Sequence, residues 1–125
     1  MHDGIHAALT QHILKAAIEV HRHLGPGLLE SVYESALCLE LTAAGLSFKR
    51  QIGVPLYYKG VLLSEHRPDL VVDDSVIVEV KAVERLERIH TAQVLTYLRV
   101  TGLRVGLVLN FNSAMLTQGI RRVVL

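Results

Sequence analysis

A carboxylate and an ammonium group lie two residues apart inside a strongly β-prone stretch, Ile77-Val78-Glu79-Val80-Lys81. Side chains at positions i and i+2 of a strand project from the same face, so Glu79 and Lys81 point the same way. Val78 and Val80 point to the opposite face, towards whatever packs behind the sheet. The stretch therefore predicts a strand that carries two opposite charges on one face and apolar side chains on the other.

The register of the preceding hairpin decides where a second carboxylate, Asp69, lies. The polar turn Asp73-Asp74-Ser75 favours an antiparallel hairpin between the apolar segments on either side of it. With three residues in the turn, Val72 pairs with Val76, and Asp69 falls directly opposite Glu79. A two-residue turn shifts the register by one residue and sends Asp69 to the other face of the sheet.

In the three-residue register, two carboxylates and a lysine converge on one patch, which has a chemical use. Two close carboxylates repel each other unless a cation lies between them, and oxygen ligands favour a hard cation such as Mg²⁺. A metal held in this way can polarise a phosphoryl oxygen and lower the pKa of a bound water. We expect Lys81 to stay protonated beside the two anions and to act as an electrostatic clamp. The alternative is that Glu79 and Lys81 form an ordinary solvated strand face.

The overall composition predicts one folded domain, residues 1–125. Half of the residues are hydrophobic and 20% are charged, so disorder is not expected. A net charge of +1 gives no overall electrostatic signature of nucleic-acid binding, so any such surface must be local. The high apolar content favours strands buried on both faces, a dimer interface, or both.

The single cysteine and the absence of long apolar segments exclude several classes of site and location. One cysteine, Cys38, allows neither an internal disulfide nor a multi-cysteine zinc site, and we expect a buried structural thiol. No apolar run of membrane-spanning length and no signal-peptide pattern occur. We therefore expect a cytoplasmic protein.

Two helices are predicted in the first third of the chain. Apolar residues recur at helical spacing from Ile5 to Leu24, with Asp3 as the N-cap. Gly25-Pro26-Gly27 ends this helix, and a second helix runs from Leu28 to about Ala44, with Gly45 as its stop. The histidines of the first helix are predicted to lie on the surface: His2, His6, His12, His21 and His23.

Strands and one further helix are predicted in the rest of the chain. The segments are a strand from Phe48 to Tyr58 interrupted at Gly53 or Pro55, a strand from Val61 to His66, the hairpin described above, a helix from Glu84 to about Val100, a strand from Arg104 to Leu109, and a short end element from Ile120 to Leu125. The order predicts an α/β fold with a mixed sheet, in which a crossover helix joins two parallel strands and helices cover the faces.

Several of these stretches together resemble a known family. Pro68-Asp69, Glu79-Val80-Lys81 and the helical Glu30 resemble the PD-(D/E)xK nuclease superfamily. The stretch Gly27-Leu28-Leu29-Glu30-Ser31-Val32-Tyr33 is similar to the GxxExxY family, which is placed in that superfamily. The similarity continues through residues 57–60, 79–84, 90–98 and 101–112, and so covers nearly the whole chain.

The resemblance implies a restriction-endonuclease-like αβββαβ core, here with an additional N-terminal helix, and Mg²⁺-dependent cleavage of phosphodiester bonds, with Mn²⁺ as an alternative ion. Carried over by position, Asp69 and Glu79 would be metal ligands, and Val80 would lend a carbonyl. Lys81 would orient the attacking water and stabilise the scissile phosphate. Glu30 would be an additional carboxylate ligand, or a bridge to a metal-bound water.

The resemblance also implies substrate contacts. Gln93 and Tyr97 resemble a glutamine–tyrosine pair on the crossover helix, which positions the site or contacts DNA, and His90 shares their side of the helix. Alternatively, Gln93 caps a strand edge and His90 is simply exposed. Tyr33 and Arg67 complete the predicted substrate-binding residues. A wider phosphate-binding set is predicted from scattered basic residues: Lys49, Arg50, Arg67, Arg85 and Arg88.

Two functions from different classes follow. The first is a metal-dependent nuclease acting on nucleic acid, with DNA the first expectation and RNA the second. The second is a non-catalytic module that binds nucleic acid or a protein partner with the same fold. The two differ in whether oxygens of Glu30, Asp69 and Glu79 lie close enough to share one ion. A homodimer is compatible with both, because cutting both strands of a duplex often uses two copies of one site.

Overall fold

A five-stranded mixed sheet lies between helices in the computed structural model, which describes residues 4–125. The predicted N-cap Asp3 and the histidine at position 2 lie outside the described residues. In chain order the elements are α1 (Ala7–Leu24), α2 (Glu30–Ala43), β1 (Phe48–Arg50), β2 (Val54–Tyr58), β3 (Val61–His66), β4 (Leu70–Val72), β5 (Val76–Lys81), α3 (Arg88–Thr101), β6 (Val105–Asn110), a short 3₁₀ helix (Leu116–Gly119) and β7 (Ile120–Val124).

The strand order of the sheet is β1-β4-β5-β6-β7, while β2 and β3 form a separate two-stranded hairpin. Strands β5 and β6 pair in parallel through the crossover helix α3, and the other neighbours are antiparallel. The predicted mixed α/β sheet is therefore confirmed. Its αβββαβ core consists of α2, β1, β4, β5, α3 and β6, and α1 is the additional N-terminal helix. None of the helices within residues 4–125 is long and apolar enough to cross a membrane.

The strand β5 separates two cores, as its alternating side chains require. Val78 and Val80 pack with α1 and α2 on one face of the sheet, together with the buried thiol of Cys38. Ile77 packs with Val94 and other side chains of α3 on the opposite face. The predicted strand β5 is confirmed, and so is the prediction of a buried cysteine.

The hairpin between β4 and β5 has the three-residue turn. Val72 pairs with Val76, and Leu70 pairs with Val78. Asp73 and Asp74 both adopt positive φ, at 53° and 51°, a left-handed conformation that aspartate tolerates better than most side chains. The local turn chemistry thus sets the register that places residue 69 opposite residue 79.

The segment from Phe48 to Tyr58 is not one interrupted strand, so that prediction is wrong. Its first part is β1, at the edge of the main sheet, and its second part is β2, in the hairpin with β3. Gln51 has φ 53°, and this left-handed residue turns the chain out of the main sheet. Gly53 packs so closely on the Glu65 side chain that a Cβ there would overlap the carboxyl group.

All three predicted helices begin later than predicted, α2 at Glu30 rather than Leu28, and one histidine of α1 is not on the surface. Helix α1 begins at Ala7 after His6, which has positive φ, and α3 begins at Arg88. His21 is buried, and its ring Nε2 donates a hydrogen bond to the Ser113 carbonyl, 2.8 Å away. The side of α1 that carries His21 therefore faces the turn after β6 rather than solvent.

Gly106 gives a direct test of how α3 packs on the sheet. A Cβ at Gly106 would overlap Val94 Cγ1, so Gly106→Ala should lower the free energy of unfolding by about 1–3 kcal/mol in urea titrations. Val94→Ala removes the overlapping methyl groups, so the double variant should be more stable than the sum of the two single changes predicts. Simple additivity would show that this contact does not limit the approach of α3.

Candidate active site

Several predicted site residues meet at the edge of the main sheet that is formed by the C-terminal ends of β5 and β6, not at an outer strand. Strands β5 and β6 end there, and β4 begins there, because β4 and β5 are antiparallel and β5 and β6 are parallel. Asp69 immediately precedes β4, and continuing the register places it opposite Glu79. Lys81 is the last residue of β5 at the same edge.

Two short hydrogen bonds hold the carboxylates of Asp69 and Glu79 in place. The backbone N–H of Asp69 donates to Glu79 Oε1 at 2.7 Å. The backbone N–H of Val80 donates to Asp69 Oδ2 at 2.7 Å. Each carboxylate is thus anchored to the backbone of the other strand, so the hairpin itself holds both groups in position.

Burial and mutual repulsion make the ionised pair unfavourable. Glu79 is only 5% exposed. Its burial and the neighbouring charge of Asp69 raise the pKa of Glu79 to about 7. Burial, with a further contribution from the Glu34 charge, raises the pKa of Asp69 to about 6. Both carboxyl groups therefore lack full electrostatic compensation within the protein.

Lys81 supplies one nearby cation. Its Nζ atom lies 3.7 Å from Glu79 Oε2, and its side chain is 17% exposed. The interpretation of Glu79 and Lys81 as a solvated strand face is excluded, because one of the two groups is buried and the other is largely so.

A cluster around Glu34 was not predicted from the sequence. Glu34 is buried in α2, and its Oε2 atom accepts hydrogen bonds from Arg50 Nε at 3.1 Å and Nη2 at 2.9 Å. Gln51 Nε2 lies 3.3 Å from Glu34 Oε1 and 3.2 Å from Asp69 Oδ1, and so bridges the two carboxylates. The one sequence signal was that Glu34 follows Glu30 by four residues and shares its side of the helix.

Glu30 does not group with Asp69 and Glu79 as a direct ligand in residues 4–125, and its alternative role as a bridge to a metal-bound water stays a prediction. Its Oε2 atom accepts a hydrogen bond from the backbone N–H of Ala82 at 3.3 Å. Glu30 is held at the backbone that follows Lys81, whereas Glu34, one helical turn later on α2, reaches Asp69 through Gln51. Within residues 4–125, no group of three or more His, Cys, Asp or Glu side chains is placed to hold a metal.

Tyr33 is fully buried, which contradicts its predicted contact with substrate. Its hydroxyl donates to the Gly25 carbonyl at 2.5 Å and accepts from the Leu28 N–H at 3.1 Å. Its ring stacks on Phe111 with a centroid separation of 4.7 Å. Tyr33 therefore fixes the glycine-rich loop before α2 instead of reaching a ligand.

Helix α3 brings Tyr97 to the carboxylate pair. Burial, with the charges of Glu79 and Asp69, raises the pKa of Tyr97, so its hydroxyl lies within electrostatic reach of both groups. Gln93 is half-buried and, with Tyr97 and His66, lines a cleft of about 260 Å³. His90 Nδ1 accepts a hydrogen bond from the Glu87 N–H at 2.9 Å, which places the ring proton of neutral His90 on Nε2.

The predicted set of phosphate-binding cations does not form one surface. Arg50 pairs with Glu34, and Lys49 pairs with Asp74 at 3.0 Å. Arg67 is exposed, with Nη2 at 2.8 Å from Glu65 Oε1 and Nη1 donating to the Gln51 carbonyl at 3.2 Å. Arg50 and Arg67 both lie near Asp69, Arg50 through Glu34 and Arg67 through Gln51, whereas Lys49 pairs at the turn between β4 and β5.

The donor set at this edge fits a hard divalent ion. Asp69 and Glu79 offer carboxylate oxygens, and their raised pKa values show that additional positive charge would stabilise the ionised pair. Mg²⁺ commonly binds proteins through one or two carboxylates together with waters and substrate phosphates, so a third carboxylate is not required. Val80 contacts Asp69 through its N–H, and its carbonyl as a ligand stays a prediction.

The raised pKa of Glu79 predicts how stability depends on pH in the metal-free protein. The folded state holds this proton more tightly than the unfolded state, because the pKa is about 7 in the folded chain against an ordinary value of 4.5. The stabilisation that this proton contributes is therefore fully present below that ordinary value and is lost as the pH rises through the folded-state value.

Glu79→Gln removes the titrating group and keeps an acceptor for the Asp69 N–H. Between pH 5 and pH 8 in EDTA, the free energy of unfolding should fall less in the variant than in the wild type, by on the order of 2 kcal/mol. Denaturant titrations at both pH values measure this difference. Parallel declines in the two proteins would contradict the assigned pKa shift.

Comparison with known proteins identifies the family. The family model described as the PD-(D/E)XK nuclease superfamily matches residues 7–123 of the chain. No curated protein and no solved structure gives a match. The matched range includes the carboxylate pair, Lys81 and the whole mixed sheet. The chain therefore belongs to the PD-(D/E)XK nuclease superfamily.

Proposed function

We propose that this protein is a nuclease that hydrolyses phosphodiester bonds with a divalent ion, with DNA as the first substrate to test and RNA as the second. Within the superfamily, we place it in the GxxExxY group, on the residues from Gly27 to Tyr33. The observation that carries the proposal is the buried pair of Asp69 and Glu79, fixed by reciprocal backbone hydrogen bonds and flanked by Lys81. Nuclease superfamily membership itself implies a nucleic-acid substrate.

Asp69 and Glu79 would hold the ion, either Mg²⁺ or Mn²⁺, since both carry hard oxygen ligands. When bound, such an ion would polarise a phosphoryl oxygen and lower the pKa of a water molecule. The two carboxylates are already positioned by the Asp69 and Val80 N–H groups, so little reorganisation is needed. Gln51 acts through Asp69 and is a positioning residue, and Glu34 orients Gln51 in turn.

Lys81 supplies a positive charge where negative charge develops. As the water oxygen bonds to phosphorus and the ester P–O bond breaks, charge accumulates on the phosphoryl oxygens. An ammonium group with restricted exposure to water stabilises this charge more than an exposed one would. The Glu79 carboxylate on its other side keeps the ammonium group at the sheet edge.

A non-catalytic binding module is the second candidate, and one observation favours it. The β2–β3 hairpin exposes large apolar side chains, among them Tyr57 at 64% and Leu63 at 65%. Such a surface suits a protein partner. The module does not require a desolvated carboxylate pair beside a lysine, so we place it second.

Cleavage assays with two variants test the proposal. Lys81→Ala and Glu79→Gln should each lower the rate of Mg²⁺- or Mn²⁺-dependent cleavage at least 100-fold, since each removes a charge from the centre. Labelled single-stranded, duplex, nicked and branched DNA, and matched RNA, are incubated with each ion or with EDTA.

Lys49→Ala is the matched control, because this lysine pairs with Asp74 in the turn between β4 and β5. That turn lies at the other end of these strands from Asp69 and Glu79. The control variant should cleave like the wild type. Circular dichroism checks that all three variants are folded. Cleavage that survives both Lys81→Ala and Glu79→Gln would exclude the mechanism, and binding without cleavage on every substrate would favour the module.

We also propose a homodimer, because one site per copy would allow both strands of a duplex to be cut. The exposed apolar side chains of the hairpin offer a surface for a second copy. Sedimentation velocity should detect a species of twice the 13.8 kDa chain mass. A single species of the chain mass at concentrations up to about 100 μM would contradict dimer formation by this surface.

A further inference from the structure

A polar cleft lies beside the candidate active site, at the same edge of the main sheet. It has a volume of about 370 Å³ and lies between the loop that leads into α3 and the turn that leads into the 3₁₀ helix. Its lining includes two arginines and two side-chain amides: Arg85, Arg121, Asn112 and Gln118.

The strand register places this cleft on the same face as the catalytic groups. Lys81 pairs with Asn110 across the parallel strands β5 and β6. Glu79 pairs with Val108, which pairs in turn with Arg121 on β7. Paired residues project from the same face, and neighbouring strands lie about 4.8 Å apart, so the Arg121 backbone is roughly 10 Å from that of Glu79.

The two arginines have positive charge available for a ligand. In the described part of the chain, residues 4–125, neither Arg85 nor Arg121 forms a salt bridge, whereas Arg50 and Arg67 do. The Nη1 atom of Arg121 donates to the carbonyl of the preceding residue at 3.0 Å. Glu84, an exposed residue, is the acidic member of the lining, so the cleft has an excess of positive charge.

The walls of the cleft are held by buried contacts. Asn110 is 2% exposed, and its side chain accepts from the Val83 N–H at 3.0 Å and donates to the Val83 carbonyl at 2.9 Å. This double contact fixes the loop that carries Arg85. On the other wall, a Cβ at Gly119 would lie 2.6 Å from the Asn110 carbonyl oxygen, so glycine permits the close turn before Arg121.

We propose that this cleft binds a backbone phosphate of the nucleic-acid strand that is cleaved, within a few nucleotides of the scissile bond. The inference rests on the proposed nuclease function for the position of the scissile phosphate. Guanidinium groups and amide N–H groups are the donors that recognise phosphate oxygens, and such contacts set the register of a strand on a protein. The cleft thus positions the strand so that one phosphodiester reaches Lys81.

Binding measured without cleavage tests this site separately from catalysis. In EDTA, fluorescence anisotropy of a labelled single-stranded oligonucleotide gives the affinity of the wild type, Arg85→Gln and Arg121→Gln at several salt concentrations. Loss of one phosphate contact should weaken binding about fivefold at 0.1 M salt and reduce the salt slope by about 0.7. Arg99→Gln, near the C-terminal end of α3 and away from the cleft, is the matched control and should change neither value.

Replacing single phosphates by neutral methylphosphonates locates the contact. One position close to the cut should weaken binding to the wild type and have little effect on binding to Arg121→Gln. Equal behaviour of the Arg85, Arg121 and Arg99 variants would overturn the proposal. The proposal would also be overturned if these arginines were needed to bind inorganic phosphate but not to bind the oligonucleotide.

The outcomes separate the two proposals. Arginine-dependent binding without cleavage by the wild type in any metal would remove the nuclease function and leave the phosphate site. Metal-dependent cleavage that is indifferent to Arg85 and Arg121, with unchanged affinity, would remove the phosphate site and leave the nuclease function.

Discussion

The pairing of Asp69 with Glu79 across one antiparallel hairpin is the contact on which the site depends. A turn of three residues places them opposite each other, and each carboxylate accepts a backbone N–H from the other strand. A shift of one residue would send Asp69 to the other face and separate the two charges. The chemistry of the site is therefore decided by strand register before any side chain of α2 or α3 contributes.

The fold maintains this pair at an electrostatic cost. Both carboxyl groups have raised pKa values because they are buried and close to other negative charges. The protein compensates in part: Arg50 neutralises Glu34, Gln51 bridges Glu34 to Asp69, and Lys81 lies near Glu79. A residual excess of negative charge remains, as expected for a site that binds a cation and trades stability for function.

The parts of the fold that depend on local patterns were predictable from the sequence. Alternation in β5 and the crossover helix between parallel strands follow from side-chain period. The turn could have two or three residues, so local patterns predicted that Glu79 and Lys81 share a face, whereas the position of Asp69 opposite Glu79 required the observed register.

The remaining features depend on how distant elements pack. In the Glu34–Arg50–Gln51 cluster, Glu34 is separated from its two partners by 16 and 17 positions in the sequence. The cluster forms because α2 packs on the sheet, and no local spacing in the sequence reveals that packing. The burial of His21 depends on a turn 92 residues away. The separation of β1 from β2 depends on Gln51 adopting a left-handed conformation without being glycine or asparagine.

A calorimetric titration with Mn²⁺ at pH 6.5, in two buffers of different ionisation enthalpy, tests the central claim most directly. With pKa values of about 6 and about 7, Asp69 and Glu79 together carry about one proton at this pH, and an ion that binds both must displace it. We expect one Mn²⁺ per chain with release of about one proton, and no such release in Glu79→Gln. Mn²⁺ binding with no proton release, or with the same release in Glu79→Gln, would contradict a metal site at this carboxylate pair.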